Sequence, residues 1–297
     1  MPSLSFPSNP SVWLIAGATA SGKSALALSL AEAHNGVVIN SDSMQLYAGL
    51  PILSAQPDTP ETVPHVLYGY VDAAVRSSVT AWREDATRAI TAAFAAGQQP
   101  IVVGGTGFYL RVLLEGLSPM PDIAPDAAAA WLSAQQETPV AALRTRLLEC
   151  DPVLAARLYP ADRQRHLRGL MVFELTGVPL SVWQEKPGVG LGYPAWRVLL
   201  DIPKERLNAQ IIARTDAMLE RGVLEEVSAF RRHGLSEDYP VTKTLGYKPL
   251  CAHLDGTLSL SGAREFLINT TRQYAKRQRT WFRHQYRADC VLEKVQV

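Results

Sequence analysis

Residues 17–24 read 17-GATASGKS-24, which matches the phosphate-loop pattern G-x-x-x-x-G-K-[ST]. The apolar run 12-VWLIA-16 before the loop predicts a buried strand, and the leucines spaced along Ser24 to His34 predict a helix after it. A glycine-rich loop in this position can surround a phosphate with inward backbone N–H groups and the positive end of the helix. The stretch therefore predicts an α/β fold with a phosphate site at the end of a strand.

Different residues of this loop are suited to different parts of phosphate binding. Gly17 and Gly22 allow backbone angles and a close approach that a side chain would block. Lys23 can reach the outer phosphate oxygens, and the Ser24 hydroxyl can hold Mg²⁺. The alternative is a glycine turn that precedes a lysine by chance, but the strand and the helix around the loop favour the phosphate site.

Composition limits the classes of protein to consider. The 297 residues carry a net charge of +1, so an RNA-binding surface would have to come from local clusters of the 29 Lys and Arg. Cys150, Cys251 and Cys290 form no zinc-ligand pattern, and we expect no structural metal. The start, MPSLSFPSNPSVW, lacks the segments of a signal peptide, and the apolar runs are too short to span a bilayer. We expect a cytoplasmic protein.

Two further apolar runs end in short polar or glycine-rich motifs. Val37 to Asn40 leads into 40-NSDS-43, and Ile101 to Val103 leads into 104-GGTG-107. Wholly apolar strands separated by helices indicate a parallel sheet covered by helices on both faces. In such sheets the ligand crevice lies at the carboxyl ends of the strands. The two motifs and the phosphate loop are therefore predicted to form one site.

Composition changes after this α/β region. We predict a core of residues 1–117 and 197–297, and between them a mostly α-helical insertion domain of residues 118–196. In the core, 197-RVLLDI-202 would rejoin the sheet, and one long helix would run from Pro203 to about Arg232. A last helix is expected from about Gly262 to Gln285.

Asp42 is the acid best placed at a strand end. ATP-hydrolysing phosphate-loop proteins usually carry an acid near Mg²⁺ at the end of an apolar strand, but here 101-IVV-103 runs into GGTG. Asp42 could be the N-cap of a following helix, a role that Asp fills well. It could equally accept a proton from a nucleophile that faces the phosphate loop. On the motif alone both readings stay open.

Seven motifs in one order now give a resemblance over nearly the whole chain. They closely resemble those of the tRNA dimethylallyltransferases, a family with a kinase-like phosphate-loop core and a helical insertion. The motifs are GATASGKS, 41-SDSMQLY-47, 64-PHVLYG-69, 103-VGGTGFY-109, 151-DPVLAARLYPADRQRHLRGL-170, 246-GYK-248 and 272-RQYAKRQRTWFR-283.

The resemblance implies a reaction. A dimethylallyl group would pass from dimethylallyl diphosphate to N6 of the adenosine on the 3′ side of the anticodon, with Mg²⁺ as cofactor. The tRNAs would be those that read codons beginning with U, and diphosphate would leave. The partners would be the tRNA anticodon stem-loop and dimethylallyl diphosphate, with no membrane, and we expect a monomer.

The same resemblance implies roles for single residues. Asp42 would be the general base, Thr106 would lie where the substrates meet, and Arg214 would contact the diphosphate. The diphosphate would be bound by Gly17, Ala18, Thr19, Ala20, Ser21, Gly22, Lys23 and Ser24, with Ser24 on the metal. tRNA contacts would come from Asp42, Ser43, Met44, Gln45, Gln164, Arg165, His166, Leu167, Arg168, Thr242, Lys243, Gly246, Tyr247 and Lys248.

The last helix carries an RNA signal of its own. Between residues 272 and 287 it has six Arg or Lys and no acid, interleaved with aromatic residues. Basic residues can contact phosphates and aromatics can stack on bases. We favour RNA contact for the basic face, above all for Arg272, Lys276 and Arg277, and core packing for the aromatics. In the insertion, Arg157, Arg163, Arg165 and Arg168 also favour phosphate contact.

The sequence departs from the family pattern at two positions, and other classes of function also have to be considered. Gln56 stands where the family often has a lysine, and one of two common histidines is missing after His65. A small-molecule phosphate-loop kinase would share the glycine loop and an acceptor-side Asp. A non-catalytic RNA-binding protein is disfavoured by the intact loop together with Asp42, Thr106 and Arg214. A transferase acting on free AMP would not need two basic regions.

Overall fold

The computed structural model describes Pro7 and residues 10–57 and 62–294. The prediction that there is no signal peptide rests on an amino-terminal stretch that lies mostly outside these residues. None of the helices in the described part combines the length and apolar character needed to cross a membrane. The chain divides into two compact units, a core unit of Met1–Leu114 and Leu191–Val297 and an inserted unit of Glu115–Gly190.

Six strands in the described residues form one parallel sheet in the order β3-β2-β4-β1-β5-β6. The strands are Val12–Gly17 (β1), Gly36–Asn40 (β2), His65–Val66 (β3), Gln99–Gly104 (β4), Ala195–Leu200 (β5) and Cys290–Leu292 (β6). The predicted parallel sheet is thereby confirmed. Two short edge strands, β3 and β6, were missed because two or three residues show no periodicity. Residues 195–196, which we assigned to the insertion, are the start of β5.

Helices fill the segments between the strands. They are Lys23–Ala33 (α1), Pro51–Ser54 (α2), Val79–Ala95 (α3), Gly107–Glu115 (α4), Pro125–Ala134 (α5), Val140–Cys150 (α6), Pro152–Arg157 (α7), Arg163–Thr176 (α8), Leu180–Gln184 (α9), Lys204–Glu220 (α10), Val223–Arg231 (α11), Tyr247–Leu254 (α12) and Leu260–Gln285 (α13), with a 3₁₀ turn at Pro240–Lys243. Helices α5 to α9 belong to the inserted unit.

Both faces of the sheet are covered, as the apolar strands predicted. Along β1 the side chains alternate between two cores, because successive residues of a strand point to opposite faces. Leu14 packs in the core that contains Trp82 of α3 and Phe282 of α13. Ile15 packs in the core that contains Leu26 of α1.

The predicted long helix after Pro203 is wrong in one respect. It is two helices, since α10 ends at Glu220 and α11 begins at Val223. Gly222 between them has φ +87°, the left-handed conformation that glycine adopts freely and that ends a right-handed helix. The glycine in 220-ERGV-223 was the available signal for this break.

The inserted unit has its own small core. Leu143 and Leu147 of α6 are fully buried and pack with Leu170 of α8. Asp151 is buried and caps α7, since its Oδ1 accepts from the Leu154 N–H at 3.0 Å. Its Oδ2 accepts from the Ser181 N–H at 2.9 Å, which ties α9 to the same carboxylate.

Gly104, at the end of β4, gives a test of how closely the strand ends pack. A Cβ added there would lie 2.5 Å from the Ser41 carbonyl carbon, just beyond β2. We expect Gly104→Ala to lower the free energy of unfolding by about 3 kcal/mol, the upper part of the overpacking range, because backbone has to move. Urea unfolding would measure this.

Gly97→Ala is the matched control. A Cβ at Gly97 meets nothing within 4 Å, but its φ is +68°, so the substitution costs only backbone strain of about 1–2 kcal/mol. Equal losses for the two variants would show that the ends of β2 and β4 do not constrain each other.

Candidate active site

A cavity of about 500 Å³ lies at the carboxyl edge of the sheet in the core unit. It collects segments that are far apart in sequence, including most of the predicted core-unit site. The lining residues are Thr19, Ala20, Gly22, Lys23, Ser24, Ala25, Asp42, Ser43, Met44, Gln45, Leu53, Ser54, Ala55, Arg214, Lys243, Thr244, Leu245, Tyr274 and Arg277. The phosphate loop, the segment after β2 and three segments of the carboxyl-terminal half therefore share one space.

The phosphate loop connects β1 to α1 through two left-handed residues, Ala20 with φ +61° and Gly22 with φ +91°. Lys23 follows as the first residue of α1, and its Nζ donates to the Ala18 carbonyl at 3.4 Å. Burial lowers the pKa of Lys23 to about 8, against an opposing effect of Asp42 and with a further lowering by Arg214.

Arg214 reaches the loop from α10. Its Nη1 donates to the Thr19 Oγ1 at 2.9 Å. Burial lowers the pKa of Arg214, while nearby Asp42 raises it. Because two cations are brought together at a cost in hydration, this end of the cavity suits an anionic ligand that would pair with both.

Gln278 of α13 holds the phosphate loop from behind and was not predicted. Its Oε1 accepts from the Thr19 N–H at 2.8 Å, and its Nε2 donates to the Gly105 carbonyl at 2.7 Å. One buried amide thus ties the phosphate loop to the GGTG segment. A signal existed in the sequence, since Gln278 interrupts the apolar stripe that Ala275 and Phe282 form on this helix.

Asp42 lies opposite the phosphate loop. Its Oδ1 accepts from the Met44 N–H at 3.0 Å, and the next helix along the chain begins only at Pro51. The helix N-cap reading of Asp42 is therefore wrong; the carboxylate closes a turn instead. A carboxylate has two oxygens, so a hydrogen bond at one leaves accepting capacity toward the cavity.

Thr106 stands between the segment after β2 and α13. Its Oγ1 accepts from the Ser43 N–H at 3.1 Å, and the Tyr274 hydroxyl hydrogen-bonds with Thr106. Burial, with a contribution from nearby Asp42, raises the pKa of Tyr274. Tyr274 also lines the cavity, although the sequence predicted only core packing for it.

Of the residues predicted to contact tRNA after position 241, only some face the cavity. Lys243 lines it and is exposed, whereas Thr242 is buried and donates to the Tyr239 carbonyl at 2.8 Å. Gly246 precedes α12 with φ +91°, and Tyr247 packs edge-on against Phe230. Lys248 is exposed and pairs with Glu237.

The predicted contacts in the inserted unit cluster at the start of α8. Gln164, Arg165 and Arg168 are exposed, although Arg165 pairs with Asp162 at 2.6 Å. Leu167 packs partly against the core of the unit. His166 is fully buried, and its Nδ1 lies 2.7 Å from the Asp162 carbonyl, so its side chain is part of the interior.

Arg163 is also engaged within the inserted unit. Its guanidinium donates to the carbonyls of Thr138, Gln135 and Gln136. It fixes the turn between α5 and α6, so the expectation of phosphate contact for the whole arginine cluster has to be narrowed to the exposed members.

On α13 the basic face is divided. Arg279 and Arg283 both donate to the Asp201 carboxylate, which follows β5, and therefore help to fix the helix on the sheet. Lys276 and Arg277 are exposed, and the Arg277 guanidinium carbon lies 5.6 Å from the centroid of the Tyr274 ring. Arg272 is half-buried.

Gln56, which replaces the common lysine, and His65, the histidine that is kept, both have structural roles. The Gln56 Nε2 donates to the Tyr47 carbonyl at 2.9 Å. The His65 Nδ1 lies 2.9 Å from the Val63 carbonyl at the edge of the sheet.

The aromatic residues of the carboxyl-terminal basic segment were predicted to pack in the core. Phe282 and Tyr286 are buried in the core, and Trp281 packs against it, as predicted for most of these aromatics.

Comparison with known proteins identifies the family to which this chain belongs. The family model described as IPP transferase matches residues 45–285, and that described as isopentenyl transferase matches residues 10–72. The chain belongs to the IPP transferase family. Among its IPP transferase relatives, a tRNA dimethylallyltransferase of Maricaulis maris is 46% identical over 92% of this chain and 89% of its own length. Another, of Methylobacterium nodulans, is 47% identical over 93% and 92%.

Solved structures of IPP transferase relatives agree with the fold. The tRNA isopentenylpyrophosphate transferase of Bacillus halodurans is 31% identical with a TM-score of 0.67, covering 95% of this chain and 89% of that one. A eukaryotic dimethylallyltransferase acting on tRNA is 30% identical with a TM-score of 0.78, covering 92% of this chain and 70% of that one. The expected kinase-like core with a helical insertion is consistent with both.

Lys23 predicts a pH dependence of anion binding. Its pKa of about 8 in the free protein means that its charge is lost as the pH rises through 8. We expect the association constant for inorganic diphosphate to fall about tenfold between pH 7 and pH 9, measured by titration calorimetry. Lys23→Arg keeps its charge and should not show this fall. The same pH profile for both proteins would contradict a role of the Lys23 charge.

Proposed function

We propose that this IPP transferase moves a dimethylallyl group from dimethylallyl diphosphate to N6 of the adenosine that follows the anticodon in tRNA, in tRNAs that read codons beginning with U. The relatives named above support the reaction. The observation that carries it is that Asp42 and the phosphate loop line one cavity, while Gly104 and Gly105, and no carboxylate, follow the apolar core of β4. This arrangement suits transfer from a diphosphate to an acceptor better than ATP hydrolysis.

The phosphate loop would hold the leaving diphosphate. As the bond between the allylic carbon and the diphosphate oxygen breaks, negative charge grows on the diphosphate. Lys23 and Arg214 line the cavity and are already in place to stabilise it, and such preorganised groups often give the largest catalytic effect. Gln278 takes up the Thr19 N–H, so that donor supports the loop and not the ligand.

Asp42 would act on the acceptor. The exocyclic amine of adenine is a weak nucleophile, because its lone pair is delocalised into the ring. As the bond between N6 and the allylic carbon forms, the amine must lose a proton, and the Asp42 carboxylate can accept it. Thr106 does not itself line the cavity but fixes the Asp42 segment through the Ser43 N–H.

Mg²⁺ fits the residues present. The Ser24 hydroxyl is exposed at the start of α1 and lines the cavity together with Asp42, and oxygen donors are the ligands that Mg²⁺ prefers. When bound, the ion would neutralise diphosphate charge. Ser24 would hold it next to Lys23.

tRNA would bind through exposed basic and polar residues near and beyond the cavity. In the core unit these are Lys243, Lys276 and Arg277, with Ser43, Met44 and Gln45 at the cavity wall. In the inserted unit they are Gln164, Arg165 and Arg168. The target base is stacked in an anticodon loop and has to be extruded to reach Asp42. We propose that the protein works as a monomer in the cytoplasm, where its tRNA substrate is made available.

The direct assay uses purified protein, unmodified tRNA, Mg²⁺ and radiolabelled dimethylallyl diphosphate, with and without ATP. We expect label in the tRNA in both reactions. No label in tRNA, together with consumption of ATP in the presence of a nucleoside or a small acid, would favour a small-molecule kinase.

Asp42→Asn tests the proposed base. It keeps the size of the side chain and an oxygen for the Met44 N–H but removes the basic carboxylate. We expect turnover to fall by about 10²–10⁴-fold with tRNA affinity unchanged, measured by label transfer and filter binding.

Asp72→Asn is the matched control, because the Asp72 Oδ1 also accepts from the N–H two residues on, at 2.8 Å from Ala74, but lies outside the cavity. Turnover of Asp72→Asn should stay at the wild-type rate. An Asp42→Asn enzyme that keeps turnover within a few-fold would leave Asp42 with a structural role only.

A further inference from the structure

Asn40 is the last residue of β2 and is fully buried. Its side-chain amide makes three hydrogen bonds. The Oδ1 accepts from the Asp42 N–H at 2.8 Å, and the Nδ2 donates to the Asp42 carbonyl at 3.1 Å and to the Leu67 carbonyl at 3.0 Å. One amide therefore holds the Asp42 residue at both its N–H and its carbonyl.

The orientation of this amide is fixed by its partners. The Asp42 N–H can only donate, so it must meet the Asn40 oxygen. The two carbonyls can only accept, so they must meet the Asn40 NH₂ group, whose two hydrogens they use. A flipped amide would face two oxygens with an oxygen, at the buried end of a strand where an unmade hydrogen bond is costly.

Asn40 itself is anchored from the other side. Its backbone carbonyl accepts from the Trp82 Nε1 at 2.8 Å, and Trp82 is completely buried. In the sheet, Asn40 is paired with Val103 of β4. Because Asn40 is itself held in place, its amide can fix the position of Asp42, which lies in a segment without helix or strand. It also holds Leu67, a non-glycine residue with φ +65°.

We propose that Asn40 is a positioning residue for the transfer reaction. It holds the Asp42 main chain on both sides, so that the carboxylate faces the cavity in the geometry that proton removal from the adenine amine requires. This inference rests on the proposed function and goes beyond it, because Asn40 does not line the cavity and acts only through Asp42.

Asn40→Asp gives the sharpest test, since it keeps the shape and changes only the NH₂ group to oxygen. One oxygen would still accept from the Asp42 N–H. The other would face the Asp42 and Leu67 carbonyls without a proton to donate, and the segment would shift. Protonation of the introduced carboxyl group would restore one of the two lost hydrogen bonds, so the defect should become smaller as the pH falls.

The groups that titrate or carry charge around Asp42 are the same in both proteins. They are Lys23 on α1, Arg214 on α10, Tyr68 after β3, Tyr109 on α4 and Tyr274 on α13. A variant to wild-type turnover ratio that changes with pH is therefore due to the introduced carboxyl group, either through its own protonation or through the effect of its charge on these neighbours.

The experiment measures kcat and the KM for dimethylallyl diphosphate between about pH 6 and pH 9 for wild type and Asn40→Asp. We expect kcat to fall about 10²-fold at the alkaline end, as for a small misplacement of a reacting group, with KM within about twofold. The ratio of variant to wild-type kcat should rise as the pH falls. Asn35→Asp is the control, because Asn35 is exposed just before β2, and it should keep wild-type kcat at every pH.

A second variant covers a failure of Asn40→Asp to fold. Asn40→Ser is uncharged and is measured alone and combined with Asp42→Asn. If Asn40 acts through Asp42, Asn40→Ser should lower kcat in the wild-type background and have little further effect in the Asp42→Asn background.

Three results would overturn the positioning role. They are an Asn40→Asp kcat within about twofold of wild type at every pH, a kcat ratio that is independent of pH, and equal effects of Asn40→Ser in both backgrounds. Absence of label transfer by the wild type would instead contradict the proposed function, and the positioning role with it.

Discussion

The parallel pairing of β4 with both β1 and β2 is the constraint on which the site depends. In register, Ala16 lies beside Gly104, and Asn40 lies beside Val103. Three strands therefore end at one level of one edge, and the loops that follow them meet there. A phosphate loop alone could serve many ligands. In this protein its function is specified by the carboxylate and the glycines that the strand register places opposite it.

The loops at this edge are irregular, and two buried amides hold them. Asn40 holds the Asp42 segment from within the sheet, and Gln278 joins the phosphate loop to the Gly105 segment from α13. The last long helix is therefore part of the site. It packs Phe282 into the main core and is fixed by Asp201, so the stability of the core and the geometry of the phosphate loop are linked. A loose carboxyl-terminal helix would loosen the loop as well.

Local patterns predicted the parts of the fold and site that obey local rules. The phosphate loop, the apolar strands β1, β2 and β4, and α13 follow from glycine spacing and hydrophobic periodicity. Contacts distant in sequence could not be read in this way. The hydrogen bond between Gln278 and Thr19 joins residues 259 positions apart. Likewise, Arg279 and Arg283 belong to the face predicted to contact RNA, but both pair with Asp201. For Asp42 the sequence left two roles open, and the absence of a helix between it and Pro51 excluded the cap.

We propose that one cavity holds a prenyl diphosphate with its allylic carbon facing Asp42. A crystal structure with Mg²⁺ and a non-reactive thio analogue of dimethylallyl diphosphate tests it most directly. We expect the diphosphate against Lys23 and Arg214, with the allylic carbon on the side of the cavity where Asp42 lies. An analogue bound away from the phosphate loop, or with its prenyl group pointing away from Asp42, would contradict this assignment of the cavity.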